Sequence, residues 1–334
     1  NRKALSYGRK RLGSRKSDAF FRKIFHVFGL TLQDDHDCAS LSVHLPGTKM
    51  KFDAKILSFG FFVLIASPVL AAGGISGESL VGPTSTLRLA MTLYAGGVTL
   101  GHVDMDAKFV AGKYHAVSNL KTSGVVDVFW QSEIQAASSG KLGEHFLQPE
   151  LYNSFYTGHK AKHQEVSLTY ENGFPARLYA NPPYSTRGFE VKSDEKKGTF
   201  DPLSAMVFIA SGIGAEGKPC AVHAPVYDGR RRYDITMSKI KDLSVKMDNG
   251  LYSGPVMQCE IVYKQISGFS PRVLKDAHFP KIYAWVTSLS GKDGHSYIIP
   301  LRVWAKSPYG IVAAVATEIE IDGTPQNKLK PIQN

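Results

Sequence analysis

Hydrophobic and polar positions alternate along most of this chain, and the alternation predicts β-strands. In Leu87-Arg88-Leu89-Ala90-Met91-Thr92-Leu93 the leucines and Met91 share one face, with Arg88 and Thr92 on the other. That is the pattern of a half-buried strand. Gly96-Gly97 and Gly101 punctuate a turn into a second strand, Val98–Val110. Val166–Tyr170 and Phe174–Tyr179 flank Glu171-Asn172-Gly173, and Asn-Gly between two such runs is a strong hairpin signal. Asp228-Gly229, Asn249-Gly250 and Asp293-Gly294 repeat the device. Met257, Cys259, Ile261 and Tyr263 alternate along another strand, and Tyr297–Ala305 with Ile311–Ile321 form a last hairpin around Ser307-Pro308-Tyr309-Gly310.

Helical periodicity is scarce. Asp201–Ser211 carries an N-cap aspartate, Pro202 at the first helical position and Gly212 just past the end. Leu203, Met206, Val207 and Ala210 fall on one stripe that would face the sheet, and a shorter helix is expected over Val125–Trp130. Together these features predict one all-β, mainly antiparallel domain over residues 86–322. So large a sheet must curl into a β-spiral or part-open barrel, because open edges invite aggregation.

The N-terminal pattern is different. Met50–Lys55 is a short lysine-bearing start, and from Ile56 to Gly77 there is no charged side chain. The apolar run ends in Pro68-Val69-Leu70-Ala71-Ala72, which offers Val69 at −3 and Ala71 at −1 for cleavage between Ala71 and Ala72. This reads as a secretory leader over residues 50–71 rather than a membrane anchor, since Pro68, the small-residue exit and the missing stop-transfer charges oppose a stable span. Residues 1–49 are then expected to be an upstream extension outside the mature protein, residues 72–85 a Gly/Ser/Pro-rich linker, and residues 323–334 a tail. The expected compartment is the periplasm.

Export changes the meaning of the charge. The chain holds 40 Lys and Arg against 29 Asp and Glu, a net charge of +11. Residues 1–71 carry 12 of the basic and 5 of the acidic residues, leaving 28 and 24, a net charge of +4. A nucleic-acid partner is therefore not expected. Of the three cysteines, Cys38 precedes the leader, and Cys220 with Cys259 remain as an even pair. In an oxidising compartment such a pair is most simply a disulfide. A free nucleophilic thiol would need a nearby base, and His223, three residues after Cys220, points to the opposite face of a strand.

Familiar catalytic signatures are missing, from the Gly-x-Ser-x-Gly elbow to the His-Glu-x-x-His helix and the phosphate-binding glycine loops. No cofactor or metal is expected. His159 and His163 stand four apart in a lysine-laden segment that reads as a solvated loop. His102 and Asp104 share a strand face and read as a polar pair, and His115 as an ordinary strand residue. Tyr179–Tyr184, with Pro182-Pro183, suits a stiff loop or an aromatic rim.

One run concentrates charge: Tyr227-Asp228-Gly229-Arg230-Arg231-Arg232-Tyr233-Asp234. After a tight turn, Arg230 and Arg232 would lie on one face with Arg231 on the other, beside Tyr233. These residues could contact an anion or ligand, or Arg231 could pair with Asp228 or Asp234 so that the hairpin pins its own register.

This run, together with Asp201-Pro202-Leu203-Ser204-Ala205, Cys220 and the upstream Tyr94-Ala95-Gly96-Gly97-Val98-Thr99-Leu100-Gly101, resembles the bacterial domain-of-unknown-function family 3108. The resemblance extends to the closing Val303–Val315 strand pair and implies an exported, β-rich envelope protein with no reaction attached. More distantly, the one-disulfide plan is similar to periplasmic β-spiral proteins of envelope integrity, a likeness of architecture alone. The expected function is non-enzymatic support of the envelope by binding a lipid, lipoprotein or cell-wall component in a concave face. The alternative is an envelope hydrolase or transferase using Asp228, His223 and Arg231.

Overall fold

In the computed structural model, residues 84–124, 127, 131–158, 162–213, 218–276, 280–307 and 310–326 are described. The expected upstream extension, leader, cleavage site at Ala71 and Ala72, most of the linker, most of the 125–130 helix, His159 and the end of the tail lie outside these residues.

Fourteen strands form one antiparallel sheet: β1 (Thr84–Ala95), β2 (Val98–Val110), β3 (Lys113–Thr122), β4 (Glu133–Leu142), β5 (Leu147–Gly158), β6 (Lys162–Glu171), β7 (Phe174–Asn181), β8 (Val222–Tyr227), β9 (Arg232–Lys246), β10 (Ser253–Ser267), β11 (Ile282–Ser290), β12 (Ser296–Ser307), β13 (Gly310–Ile321) and β14 (Thr324–Pro325). Their order is β7-β6-β5-β4-β3-β2-β1-β13-β12-β11-β10-β9-β8, with β14 on β13. Each strand neighbours its sequence neighbour except where β1 meets β13. Two meanders are thus joined through the first and last long strands. The first linker residues to be described already belong to β1, and Thr324–Pro325 of the expected tail pairs with β13.

The turn dipeptides sit where positive φ is needed. Asn172 and Gly173 have φ of 51° and 76° between β6 and β7, the geometry of a two-residue hairpin. Gly97, Gly229, Gly250 and Gly294 serve the other hairpins anticipated from sequence. Between β2 and β3 the same task falls to Ala111 at φ 48°, followed by Gly112.

The sheet curls around α1 (Pro202–Ala210), which touches β3, β4 and β5 from one meander and β8 and β12 from the other. Leu203, Val207 and Ala210 join the main core with Leu87, Leu89, Met105 and Tyr114, while Ala205 packs with Ala224 and Val226 of β8. Met206, expected on the buried stripe, is 41% exposed. The reason is that α1 is enclosed on more than one side, so Ser204 and Ala205 are buried as well and solvent is left the arc around Met206.

A second short helix, α2 (Pro271–Asp276), follows β10. β12 pairs with β13 only from Arg302 onward, although it pairs with β11 from Ser296 to Ala305. Its first half folds back so that Tyr297 meets Phe109 of β2, with ring centroids 6.0 Å apart. The β13 edge thereby released is used by the β9–β10 turn, where Asn249 Nδ2 donates to the Ala316 carbonyl at 2.8 Å. A buried carbonyl without such a donor would be costly.

The two sheet edges, β7 and β8, do not pair with each other. Along β8 the gap is covered by Phe200, whose N–H donates to the Pro225 carbonyl and whose carbonyl accepts from the Tyr227 N–H, both at 2.8 Å. The turn after β8 slides under β6 and β7: a Cβ on Gly229 would stand 2.9 Å from Leu178 Cδ1 and 3.1 Å from Val166 Cγ1. The barrel is part-open in hydrogen bonding and closed by packing.

Candidate functional site

The two conspicuous sequence runs meet inside the curl, at its seam. Asp201 caps α1: its Oδ1 accepts from the Ser204 N–H at 2.8 Å. Its Oδ2 accepts from the Ser204 hydroxyl and, at 3.1 Å, from the Ser138 hydroxyl of β4. The hydroxyls of Ser138 and Ser204 are 2.7 Å apart, and the Tyr114 hydroxyl of β3 is 2.7 Å from Ser204 Oγ. An ionised carboxylate can only accept, so Ser204 gives it its proton and receives that of Tyr114. Burial pushes the Asp201 carboxyl up to about 6, against the pull of the hydrogen bonds from Ser204 and Ser138. The network locks α1 to the first meander.

The charged run makes the opposite anchor. Asp228 Oδ1 accepts from the N–H groups of Arg230 at 2.8 Å and Arg231 at 2.6 Å, an Asx turn that shapes the β8–β9 loop. Arg230 and Arg231 belong to this loop rather than to opposite faces of a strand, and both are buried. The Arg230 guanidinium lies 5.7 Å from the Tyr184 ring and that of Arg231 5.6 Å from Phe269, distances at which an aromatic face attracts a cation. The ion pair with Asp234 is made by Arg232, whose Nη1 donates to Oδ1 at 2.6 Å while Nε donates to the Glu195 carbonyl at 3.1 Å. Tyr227 donates to the Gly229 carbonyl at 2.8 Å, and the Tyr233 and Tyr263 rings are 4.8 Å apart.

Between the anchors lies a set of tyrosines. Burial above all, and then the charges of Asp201 and Asp228, holds the Tyr152 phenol well above its ordinary value. Burial does the same for Tyr114, Tyr170, Tyr184 and Tyr233. Such phenols remain neutral rather than serving as bases or nucleophiles. Gly268 completes the seam. It has φ 82°, and a Cβ there would lie 2.2 Å from the Arg230 carbonyl oxygen. Sequence reasoning missed Tyr114, Ser138, Gly268 and Phe269 because none sits in a recognisable local pattern, whereas Tyr184, read as part of a stiff loop or aromatic rim, stacks under Arg230.

The remaining candidates are dispersed. Cys220 and Cys259 form a buried disulfide, Cα–Cα 5.6 Å, that ties the segment after α1 to β10. His223 faces away from the neighbouring buried Val222 and Ala224 and contacts Asp234 at 3.6 Å. It therefore does not meet Arg231. His102 Nδ1 is 3.1 Å from Thr92 Oγ1 rather than bonded to Asp104, and His115 and His163 are exposed strand residues.

A cleft of about 500 Å³ lies elsewhere, on the face of the first meander that points away from α1. Strand register sets its floor. Asp104, Asn119, Gln135, Phe155 and Glu165 are successive cross-strand partners on β2 to β6, with Asp106, Val117, Ala137 and Asn153 in the next row. Each alternates with a core residue of its strand, as Asp104 and Asp106 do with Met105 and Ala107. The inner face, by contrast, is filled by α1 and the aliphatic core. An apolar ligand there would have to displace them.

The fold and seam define a helix-filled, part-open antiparallel barrel whose edges are joined by two short polar motifs. The chain belongs to the family described as protein of unknown function (DUF3108), which matches over residues 89–317. No curated protein matches it significantly. Among solved structures, the β-barrel-like protein of domain of unknown function DUF1849 from Brucella abortus is similar at 13% sequence identity and a TM-score of 0.42, over 72% of this chain and 98% of that one.

Proposed function

We propose that this chain is an exported, non-catalytic binding protein of the bacterial envelope, working in the periplasm and supporting envelope homeostasis. The leader pattern before Ala72 motivates export, and the observation that carries it is the buried Cys220–Cys259 disulfide, since such bonds persist in oxidising compartments. The binding role rests on the outer cleft, whose size suits a small ligand or a chain end. Because the inner face is occupied, the envelope ligand is assigned to the outer face rather than to a lipid-filled interior. The hydrolase reading loses support from the geometry: Asp228 is engaged by its own turn, Arg231 is buried over Phe269, and His223 points elsewhere.

Mass spectrometry of the native protein tests the export reading. The expected product starts at Ala72 and has both remaining thiols oxidised. Recovery of untrimmed, reduced protein from the cytosol would overturn it. A deletion strain should also show raised sensitivity to detergents and wall-targeting antibiotics, and unaltered sensitivity would count against the envelope role.

A further inference from the structure

The hydrogen-bonding balance of the outer cleft identifies what it is built to hold. Its carboxylates accept only, and Asp104 and Glu165 have no ion-pair partner among the described residues, whereas Asp106 is reached by Arg88 Nη1 at 3.3 Å. The Asn119 side-chain oxygen is shielded from solvent and has no hydrogen-bond partner. The amide donor of Gln135, in contrast, is engaged by Glu133 Oε1 at 3.0 Å. The cleft also carries donors, the side chains of Ser118, Asn153 and Ser154. An occupant that meets both kinds of group must donate and accept; hydroxyls do both, whereas ammonium groups only donate.

Two further features choose between them. Phe155, 45% exposed, stands in the same row between Gln135 and Glu165, and Val117, 40% exposed, lies in the adjacent row. An aromatic face amid acceptors matches a sugar ring, with its C–H face and its rim of hydroxyls, better than a hydrated polycation. Asp104 and Glu165 are also four strand spacings apart, about 19 Å along the row. One occupant that reaches both is a chain of several rings. We propose that the cleft binds a neutral, polyhydroxylated oligosaccharide laid across β2 to β6, with Phe155 as the stacking platform and Asp104 and Glu165 as hydroxyl acceptors. This inference rests on the binding-protein reading and names its ligand class.

The test is calorimetric titration of the purified mature protein with two neutral probes, acetylated chitotetraose and cellotetraose, and with spermine as a cationic one, at low and high salt. The expected result is binding of at least one tetrasaccharide with little salt dependence. Phe155→Ala should weaken it tenfold or more and Glu165→Gln several-fold, with unchanged melting temperatures. Salt-sensitive spermine binding without saccharide binding would overturn the proposal, as would binding of neither, or saccharide binding indifferent to both substitutions. Such a failure in a protein that is trimmed and disulfide-bonded leaves the export reading standing. Saccharide binding by a protein found untrimmed in the cytosol removes that reading and keeps this one.

Discussion

The seam inside the barrel and the cleft on its outside are both polar, yet they handle their polar groups in opposite ways. At the seam, the Asp201 carboxylate receives two hydroxyls and an N–H, Asp228 receives two N–H groups, and Arg232 is divided between Asp234 and two carbonyls. These charged groups are spent on the protein itself, as buried charges must be, while the neighbouring Tyr170 and Tyr233 hydroxyls have no hydrogen-bond partner among the described residues. In the cleft, Asp104 and Glu165 are left without an ion-pair partner among the described residues. The comparison teaches that the loudest charged run in this sequence is a closure device, while unremarkable strand residues build the surface that fits a ligand. Substitutions at the seam should act on stability, and substitutions in the cleft on binding.

The sharpest way to break this division is at Gly268. Positive-φ strain and a contact of 2.2 Å with the Arg230 carbonyl act together in Gly268→Ala, at a combined cost of about 4 kcal/mol in urea unfolding. Gly250→Ala is the control. Its φ is 73° but nothing lies within 4 Å of the added Cβ, so it should cost only about 1 kcal/mol. Equal effects at the two glycines would mean that the seam does not hold the edges together.

The carboxyl of Asp201 sharpens the comparison through pH. Its folded value is about 6 against an ordinary 3.8, so between those values the folded state holds a proton that the unfolded chain has lost. Stability contributed by this group is then fully present below about pH 4 and declines as pH rises toward 6, by a total on the order of 3 kcal/mol. Asp201→Asn keeps an N-capping side chain and should flatten that slope. A variant with the wild-type pH dependence would show that burial does not raise this carboxyl.

Removing one hydroxyl from the same network is a smaller perturbation. Tyr114→Phe leaves Ser138 and Ser204 donating to Asp201 but takes away the donor to Ser204 Oγ. The expected loss is about 1 kcal/mol, read from the shift in urea midpoint.

How far these two regions could be read from sequence differs for a physical reason. Asn172-Gly173 and the cap-to-glycine span from Asp201 to Gly212 were legible because turns and helix ends impose local demands on particular residue types. The Cys220–Cys259 pair was legible because the expected leader sets Cys38 apart from these two thiols. The β1–β13 pairing, which joins Leu87 to Ile321, leaves no local trace. Nor does Gly268, whose constraint comes from a backbone distant in sequence. Met206 shows the limit of periodicity: a stripe predicts burial only when a helix has one buried side. The cleft was hidden most completely, since Asp104, Asn119, Gln135, Phe155 and Glu165 each look like an ordinary solvent-facing strand residue until register aligns them.

The smallest expected effect is therefore the most discriminating. Phe155 is exposed and Glu165 lacks an ion-pair partner among the described residues, so neither contributes a packed or paired group to the fold. Phe155→Ala and Glu165→Gln should each change unfolding free energy by no more than about 0.5 kcal/mol, as surface substitutions usually do. A destabilisation above 1 kcal/mol at either position would place that side chain among the structural groups. The seam and the cleft would then no longer divide stability from binding.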